Sequence, residues 1–399
     1  MRATPRVRRG VVAGCALGVT SGWNFGNLGG IASELARSYG VGLATIGLLT
    51  TAMVITHLGV QIPGGKASDR FGPARAGAVA LVVLCVGNAL ALAGPAAGLG
   101  IAARAIVGIG TGLAFVSGSA LVRESGGSPL AQGVFGGISL APAGLALAVV
   151  PQLEHVLGWR APYWSALGVA AAALVIVVAT RAAEATSKPR ATPASAPPGV
   201  LSDRRLYRLA VLYAASYGLG VVLSNWVVEL LQRHSDLSDN AAAVVGSLTL
   251  LLVIVSRPLG GWILDAHPQH TRVALAASIL GGVGGTVALV VAEPAWLAVL
   301  GGLLVGFGAG IPFSPAFTAA ARIRPDAPAA SVGLVNTAAN FAVLVGTPLV
   351  GLSFSLRGEG RVGFVAIAIL WLGAIAVLPS RRALGVDRVP TGRRTAASP

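Results

Sequence analysis

The chain has 399 residues and a net charge of +15, yet only 11% of its residues are charged and its mean hydropathy is +0.77. Soluble proteins carry about 25% charged residues, so this composition excludes an ordinary soluble domain and indicates a membrane protein. The bases lie in short gaps between apolar runs and form no stripe with interleaved aromatic residues, which argues against a nucleic-acid partner.

Apolar runs of about 20 residues, the length that crosses a bilayer core, alternate with polar gaps along most of the chain. We predict six membrane spans in the first half, near residues 8–31, 43–63, 76–94, 98–121, 131–152 and 161–180. We predict six more in the second half, near residues 208–229, 241–260, 273–292, 296–319, 331–353 and 362–379. The predicted fold is an all-α membrane protein with twelve transmembrane helices in two six-helix halves, residues 1–180 and 208–380.

Two segments fall outside these spans. Residues 181–207 are rich in Pro, Ala, Ser and bases, which is typical of a flexible cytoplasmic linker, and a short interfacial helix is predicted near residues 203–208. Residues 381–399 are polar and basic and are predicted to form a disordered tail. Cys15 and Cys85 lie inside apolar runs, so we expect no structural disulfide.

The distribution of bases predicts the orientation. With twelve spans and both termini on one side, that side carries about 23 of the 29 Lys and Arg residues, the other side carries about five, and Arg104 is left inside a span. Because bases accumulate on the cytoplasmic side of membrane proteins, we expect both termini to be cytoplasmic and the chain to lie in the cytoplasmic membrane.

The polar hairpin between the second and third spans has an informative sequence. It contains a glycine, an acid, a base and a second glycine at fixed spacing: Gly65, Asp69, Arg70 and Gly72. The hairpin resembles the G-x-x-x-D-R-x-G-R loop of the major facilitator superfamily; it departs at Pro73, and Arg75 can supply the missing base. The resemblance implies a secondary transporter whose loop joins the two halves and stabilises the outward-facing state. A solvated hairpin that only obeys the charge bias is the alternative.

The two halves repeat each other. The hairpin residues Gly65 and Asp69 recur as Gly261 and Asp265, displaced by about 196 residues, although the rest of the second loop is degenerate. A glycine run in the fourth span recurs in the tenth, displaced by about 198 residues: Gly108, Gly110 and Gly112, then Gly306, Gly308 and Gly310. Close glycine spacing is typical of a thin helix face for packing. Two parallel six-helix repeats enclose a site near the bilayer midplane in this superfamily.

Arg104 opens the glycine run of the fourth span and lies within the hydrocarbon region. An intramembrane Arg is costly and marks a functional site by default. The stretch resembles the R-x-x-x-G-x-G element of fourth helices in the superfamily, which implies a role in proton or substrate handling. Alternatively, Arg104 snorkels to the outer interface or pairs with Glu34.

Pro142 in the fifth span belongs to a weak echo of the G-x-x-x-G-P-x-x-G element associated with antiporters. The echo favours efflux, but a structural kink is an equal alternative.

Few titratable groups are available for coupling. His57 lies deep in the second span, where it either carries a proton or stays neutral with a single hydrogen bond. Glu34 and Glu229 close the outer ends of the first and seventh spans. The pair Glu34 and Arg104 is our first candidate for a charge switch.

Spans one, four, seven and ten are predicted to line the cavity. Their polar and aromatic members are Thr20, Ser21, Trp23, Asn24, Asn27, Ser216, Tyr217, Asn225, Trp226, Ser314 and Thr318. With Arg104 as the single buried charge, such a cavity is suited to a small anion or weak acid, whereas its tryptophans are equally suited to an amphipathic drug-like molecule.

These observations together predict a secondary active transporter of the major facilitator type. It would move a small solute by alternating access, with proton symport or antiport. The alternatives are efflux of hydrophobic compounds and a non-transporting sensor on the same fold. No G-x-x-x-x-G-K-[ST] loop occurs, so ATP is not expected as the energy source. We expect no enzymatic activity, no cofactor and no metal; the expected partners are the solute, the bilayer and protons, and the expected state is a monomer.

Overall fold

The computed structural model describes residues 4–180 and 199–385, and within them every regular element is helical. The first half contains α1 (Pro5–Gly26), α2 (Ala32–Tyr39), α3 (Leu43–Phe71), α4 (Pro73–Ala91), α5 (Ala97–Glu124), α6 (Pro129–Leu157) and α7 (Ala161–Ala179). The second half contains α8 (Arg204–Tyr213), α9 (Leu219–His234), α10 (Asp239–Ala266), α11 (Thr271–Val291), α12 (Ala295–Gly310), α13 (Phe313–Ile323), α14 (Pro328–Ser353), α15 (Arg361–Gly373) and α16 (Arg381–Leu384).

The predicted twelve crossings agree with these helices. Nine helical stretches of the described residues are long and apolar enough to cross a membrane. One of them, Pro129–Ala179, contains both α6 and α7, which a turn at Gly158–Arg160 separates. The remaining crossings are α1, whose N-terminal turn is basic, and the shorter apolar stretch Arg361–Val377.

The segment before the second half is more ordered than expected. Asp203 caps α8 by accepting a hydrogen bond from the Arg205 N–H at 3.0 Å, and α8 continues through a π-helical turn at Ala214–Gly218 into α9. The helix predicted near residues 203–208 is therefore the start of the seventh crossing rather than a separate interfacial helix.

The first residues of the predicted disordered tail, Arg381–Leu384, form the short helix α16, which Ser380 caps. The rest of the predicted linker and tail, residues 181–198 and 386–399, lies outside the described residues.

Two helix pairs bring the halves together: α3 with α14, and α6 with α10. Their contacts lie toward one end of the bundle, which we call the basic face. The basic face is defined by the helix ends that carry arginines, namely Arg70, Arg75, Arg123, Arg205 and Arg322. A Cβ atom at Gly65 would lie 2.5 Å from Ala330 Cα, so only glycine permits this approach of α3 to α14.

In the second half, helices α11 and α12 pack closely against the indole ring of Trp371. Trp371 of α15 is fully buried, and its ring lies against Gly282 of α11 and Gly308 of α12. A Cβ atom at Gly282 would fall 1.4 Å from the Trp371 ring. Interiors are close-packed, so this ring has no room to retreat without displacing its neighbours.

We therefore expect Gly282→Ala to destabilise the protein by about 1–3 kcal/mol, the usual cost of overpacking a core. Thermal unfolding of the detergent-purified protein measures this. Gly284→Ala is the matched control on the same helix, because a Cβ atom at Gly284 meets no atom within 4 Å. Equal unfolding temperatures for the two variants would contradict the packing described for Trp371.

Candidate functional site

The carboxylate of Asp69 joins the two halves at the basic face. It lies in the last turn of α3 and accepts hydrogen bonds from the backbone N–H groups of Ala329 at 2.9 Å and Ala330 at 3.0 Å. These donors belong to the first turn of α14, where N–H groups have no partner within the helix. The methyl side chain of the cap residue Ala327 cannot accept a hydrogen bond, so the Asp69 carboxylate satisfies these donors. Its negative charge is also stabilised by the positive end of the helix dipole.

The remaining hairpin residues shape the turn. Gly72 adopts φ +90°, which favours glycine, and Pro73 begins α4 at the first helical position, where its missing N–H has no cost. The departure from the family motif at Pro73 thus has a local structural role. Arg70 and Arg75 are exposed at the basic face, and the Arg70 guanidinium lies 5.2 Å from the centre of the Phe71 ring.

The second half repeats the packing of the hairpin but not its hydrogen bonds. A Cβ atom at Gly261 would lie 2.3 Å from the Pro129 carbonyl oxygen, so α10 approaches the start of α6 closely. Asp265 is exposed, and no hydrogen bond or ion pair of its side chain occurs among the described residues. The first turn of α6 already has its own cap, since Ser128 Oγ accepts from the Ala131 N–H. The carboxylate contact between the halves is therefore one-sided.

A second buried arginine, Arg257, lies between the halves. By its position near the predicted end of a span it had been expected among the cytoplasmic bases. Arg257 of α10 is only 2% exposed and lies about 13 Å from the end of its helix. Its Nη1 donates to the Gly136 carbonyl of α6 at 2.7 Å, and its Nη2 donates to the Tyr213 hydroxyl at 3.2 Å. Its guanidinium lies 4.4 Å from the Tyr217 ring centre and 4.5 Å from that of Phe313. The prediction of Arg104 as the single buried charge was wrong.

Arg104 is buried within the first half, 1% exposed. Its Nη2 donates to the Asn24 carbonyl at 2.6 Å and contacts Met53 Sδ at 2.8 Å, while Nη1 donates to Asn27 Oδ1 at 3.4 Å. These contacts tie α5 to α1 and α3. Snorkelling of Arg104 to an outer interface is therefore not observed.

Glu34 and Arg104, the candidate charge switch, are not paired in the structure. The Glu34 carboxylate accepts from Arg37 Nη2 at 2.7 Å and from Ser38 Oγ at 2.8 Å, both on its own short helix α2. Residues three and four positions apart share a helix face, so Glu34 has local partners. Glu229 likewise pairs within α9, with Arg233 at 2.6 Å.

His57 lies at the centre of a buried polar chain. Its Nδ1 is 3.0 Å from Thr111 Oγ1, its Nε2 is 2.7 Å from Gln61 Nε2, and its ring meets Phe25 edge-on at 5.0 Å. Thr111 Oγ1 donates to the Gly108 carbonyl, which leaves the hydroxyl oxygen to accept from His57. Both ring nitrogens therefore have partners, more than the single hydrogen bond expected of a neutral structural histidine.

The other predicted cavity residues divide into two groups. Asn24, Asn27 and Trp23 face their own half: Asn24 Oδ1 accepts from Asn88, Asn27 Nδ2 donates to the Pro162 carbonyl, and Trp23 Nε1 donates to Ser165 Oγ.

In the second half, Tyr217 stacks on Tyr213 beside Arg257, with the ring centres 5.3 Å apart. Asn225 and Trp226 lie in the middle of α9, and both donate hydrogen bonds to Thr347 of α14.

Serine, glutamine and threonine side chains line a cavity of about 200 Å³ between the halves at the basic face. It is bounded by α5 and α6 on one side and by α13 and α14 on the other; its lining includes Ser119, Arg123, Gln132, Phe317, Thr318 and Arg322. Ser314 closes the gap nearby, since its Oγ donates to the Pro129 carbonyl at 2.6 Å.

The glycine runs lie where helices approach most closely within each half. A Cβ atom at Gly108, Gly110 or Gly112 would lie within 3.0 Å of atoms of α3 or α4. In the second half, a Cβ atom at Gly306, Gly308 or Gly310 would likewise lie within 3.0 Å of atoms of α10 or α11. Pro142 lies inside the continuous helix α6, beside Gly22 of α1.

The sequence profile of the Major Facilitator Superfamily matches residues 14–347 and 209–397. The chain therefore belongs to this superfamily and is a multi-pass membrane protein of a transporter family. A comparison with curated proteins gives no match.

Solved structures share the fold. The chain is similar to the human organic anion transporter MFSD10 (TETRAN), with TM-score 0.69 and 17% identity, covering 94% of this chain and 99% of that one. It is similar to the transporter FucP in the outward conformation, with TM-score 0.71 and 14% identity, covering 93% and 98%. It is also similar to the proton:xylose symporter XylE, with TM-score 0.69 and 14% identity, covering 93% and 94%.

We expect Asp69→Asn to weaken closure of the basic face by about 1–3 kcal/mol, or roughly 5- to 150-fold in population. The neutral amide offers one acceptor oxygen where the carboxylate offers two. Alkylation of Thr318→Cys, with Cys15 and Cys85 replaced by alanine, measures the opening because Thr318 lines the cavity between the halves. The exposed counterpart substitution, Asp265→Asn, should leave the alkylation rate unchanged. Equal rates for the two aspartate variants would contradict the role of Asp69.

Proposed function

We propose that the protein is a secondary active transporter that moves a small anion or weak acid by alternating access. The observation that carries the proposal is Arg257, a buried guanidinium between the two halves. A buried charge is costly unless it is paired. Among the described residues no Asp or Glu is buried, so no carboxylate of the protein core neutralises it.

The surroundings of Arg257 suit an anion. Its Nε has no hydrogen-bond partner among the described residues, so one donor remains for a ligand. Tyr213, Tyr217 and Phe313 supply aromatic faces that hold the guanidinium plane and offer apolar contact to an organic acid. Arginine presents its donors in a fork that matches a carboxylate. The similarity of fold to an organic anion transporter is consistent with this substrate class.

Arg257 also connects substrate and conformation. Its Nη1 donates to Gly136 across the boundary between the halves. A carboxylate on the guanidinium would compete for that donor and weaken one contact that holds the halves together. Together with the Asp69 contact, this supports alternating access in which the basic face opens after the solute has bound. The charge bias supports our placement of both termini on the cytoplasmic side of the cytoplasmic membrane.

We propose His57 as the proton-coupling group. No buried Asp or Glu is available among the described residues, and the buried His57 is of the residue type whose side chain most often exchanges protons in proteins. Protonation would make both ring nitrogens donors, so Gln61 would have to rotate its amide and accept through Oε1, which has no partner among the described residues. A Cβ atom at Gly333 of α14 would lie 2.3 Å from the Gln61 carbonyl oxygen, so such a rearrangement occurs beside the contact of α3 with α14.

Efflux of amphipathic compounds is a second candidate, favoured by the aromatic cluster of Tyr213, Tyr217, Phe313 and Phe317. Arg257 opposes it for lipophilic cations, because the buried positive charge repels them.

Arg257→Gln should abolish stabilisation of the purified protein by small organic acids in a thermal-shift screen. A ligand at a hundredfold excess over its Kd stabilises the folded state by about 2.7 kcal/mol, and the variant loses the charge that binds it. Arg104→Gln is the comparison, because the contacts of Arg104 described above lie within one half. Stabilisation by lipophilic cations but not by acids would replace the anion proposal with efflux.

His57→Gln should remove the pH dependence of solute transport into proteoliposomes while leaving binding measurable. Glutamine retains a donor and an acceptor but cannot take up a proton. His155, exposed near the end of α6, provides the control His155→Gln, which should transport with the wild-type pH profile. A wild-type profile in His57→Gln would rule out His57 as the coupling group.

A further inference from the structure

Four arginines converge on a cleft at the basic face of the second half. The cleft has a volume of about 430 Å³, and every residue that lines it belongs to the second half. Arg205 and Arg208 come from the start of α8, Arg322 from the end of α13, and Arg382 from α16. No Asp or Glu occurs among the described residues that line it.

The structure assigns this cleft as a binding site for a phosphate-bearing anion, either a phospholipid headgroup or a soluble phosphate ester. Guanidinium groups bind phosphate oxygens through paired hydrogen bonds and remain charged at any physiological pH. The site is independent of the proposed transport of solutes.

Two of the four arginines, Arg322 and Arg205, are held in place by neighbouring groups. Arg322 Nη1 donates to the Leu384 carbonyl at 2.5 Å, which fixes α16 against α13. Asp203 accepts two hydrogen bonds from the Arg205 guanidinium, at 2.7 and 3.0 Å. These bonds hold the pKa of Asp203 below its usual value, so Arg205 keeps an ionised partner. Arg208 is exposed and lies one turn further along the same helix face.

The preference for bases on one side of the membrane does not by itself explain this arrangement. That bias requires bases in the loops but no particular geometry. Here three segments that are distant in sequence direct arginines at one cleft, with Ser380 adding a hydroxyl to its lining. The volume lies in the usual range for small-ligand pockets, about 300–1,000 Å³, and exceeds what a single ion needs.

Paired double variants of the full chain test the assignment. Arg208→Gln with Arg382→Gln removes two arginines of the cleft. Arg204→Gln with Arg381→Gln removes two exposed arginines of the same helices that do not line it. Both variants change the net charge equally. Binding of phosphatidylglycerol in mixed micelles is measured. Phosphatidylcholine is the control lipid, because its choline cation balances the phosphate charge and leaves the headgroup without net charge.

We expect saturable binding of phosphatidylglycerol that weakens about 25-fold in the cleft variant, because each arginine near an anionic headgroup contributes about fivefold in affinity. The control variant should bind as the wild type does. Binding should also fall with ionic strength. Equal affinity in the two double variants, or equal binding of phosphatidylcholine, would overturn the assignment.

Competition by glycerol 3-phosphate identifies the source of the phosphate. Displacement of the lipid would show that the phosphate group alone is recognised, whereas cleft-dependent lipid binding without displacement would show that the whole lipid is required. If the double variant fails to fold, Arg208→Gln alone provides the test because its side chain is exposed. Arg257→Gln should keep wild-type binding in this assay, so failure of the transport proposal and failure of this one are distinguishable.

Discussion

At the basic face, the carboxylate of Asp69 is placed at the start of a helix from the other half. Asp69 satisfies two backbone N–H groups of α14 that no side chain of α14 itself satisfies. Desolvating such donors without a partner costs about 1–3 kcal/mol each, so separation of the halves requires water to replace the carboxylate. The hydrogen bonds to Asp69 stabilise the closed arrangement while water is excluded, and water can replace them when the halves separate. The proposed gating role requires such a reversible contact.

The contacts between the halves are asymmetric although the fold is a repeat. Both helix pairs, α3 with α14 and α10 with α6, approach through a glycine, Gly65 or Gly261. Only the first pair adds a carboxylate, because α6 already carries its own Ser128 cap. The second pair has a different inter-half donor, the Arg257 guanidinium. The contact of α3 with α14 thus joins the Asp69 carboxylate to backbone N–H groups. The contact of α10 with α6 instead joins the Arg257 guanidinium to a backbone carbonyl.

Features that depend on the spacing of residues along the chain could be predicted from the sequence. Features that depend on contacts between distant segments could not. The spans, the repeat and the hairpin of Asp69 follow from apolar periodicity and glycine positions. The partner of Asp69 could not be predicted in this way, because it lies about 260 residues further along the chain. Arg257 was missed because it lies near the predicted end of a span, where a base is ordinary. Glu34 does not pair with Arg104 in the structure, because Arg37 and Ser38 of its own short helix bind its carboxylate.

The repeat also relates the two groups that we propose for proton and anion coupling. Gln61 and Arg257 occupy corresponding positions, displaced by the same offset as the two hairpins. In the first half this position holds a neutral amide that hydrogen-bonds to His57; in the second it holds a permanent charge that reaches Gly136. A proton on His57 would alter the first contact, and an anion on Arg257 would alter the second. Because both positions lie beside an inter-half helix pair, proton and anion would act on the same opening, which gives coupling without direct contact between them.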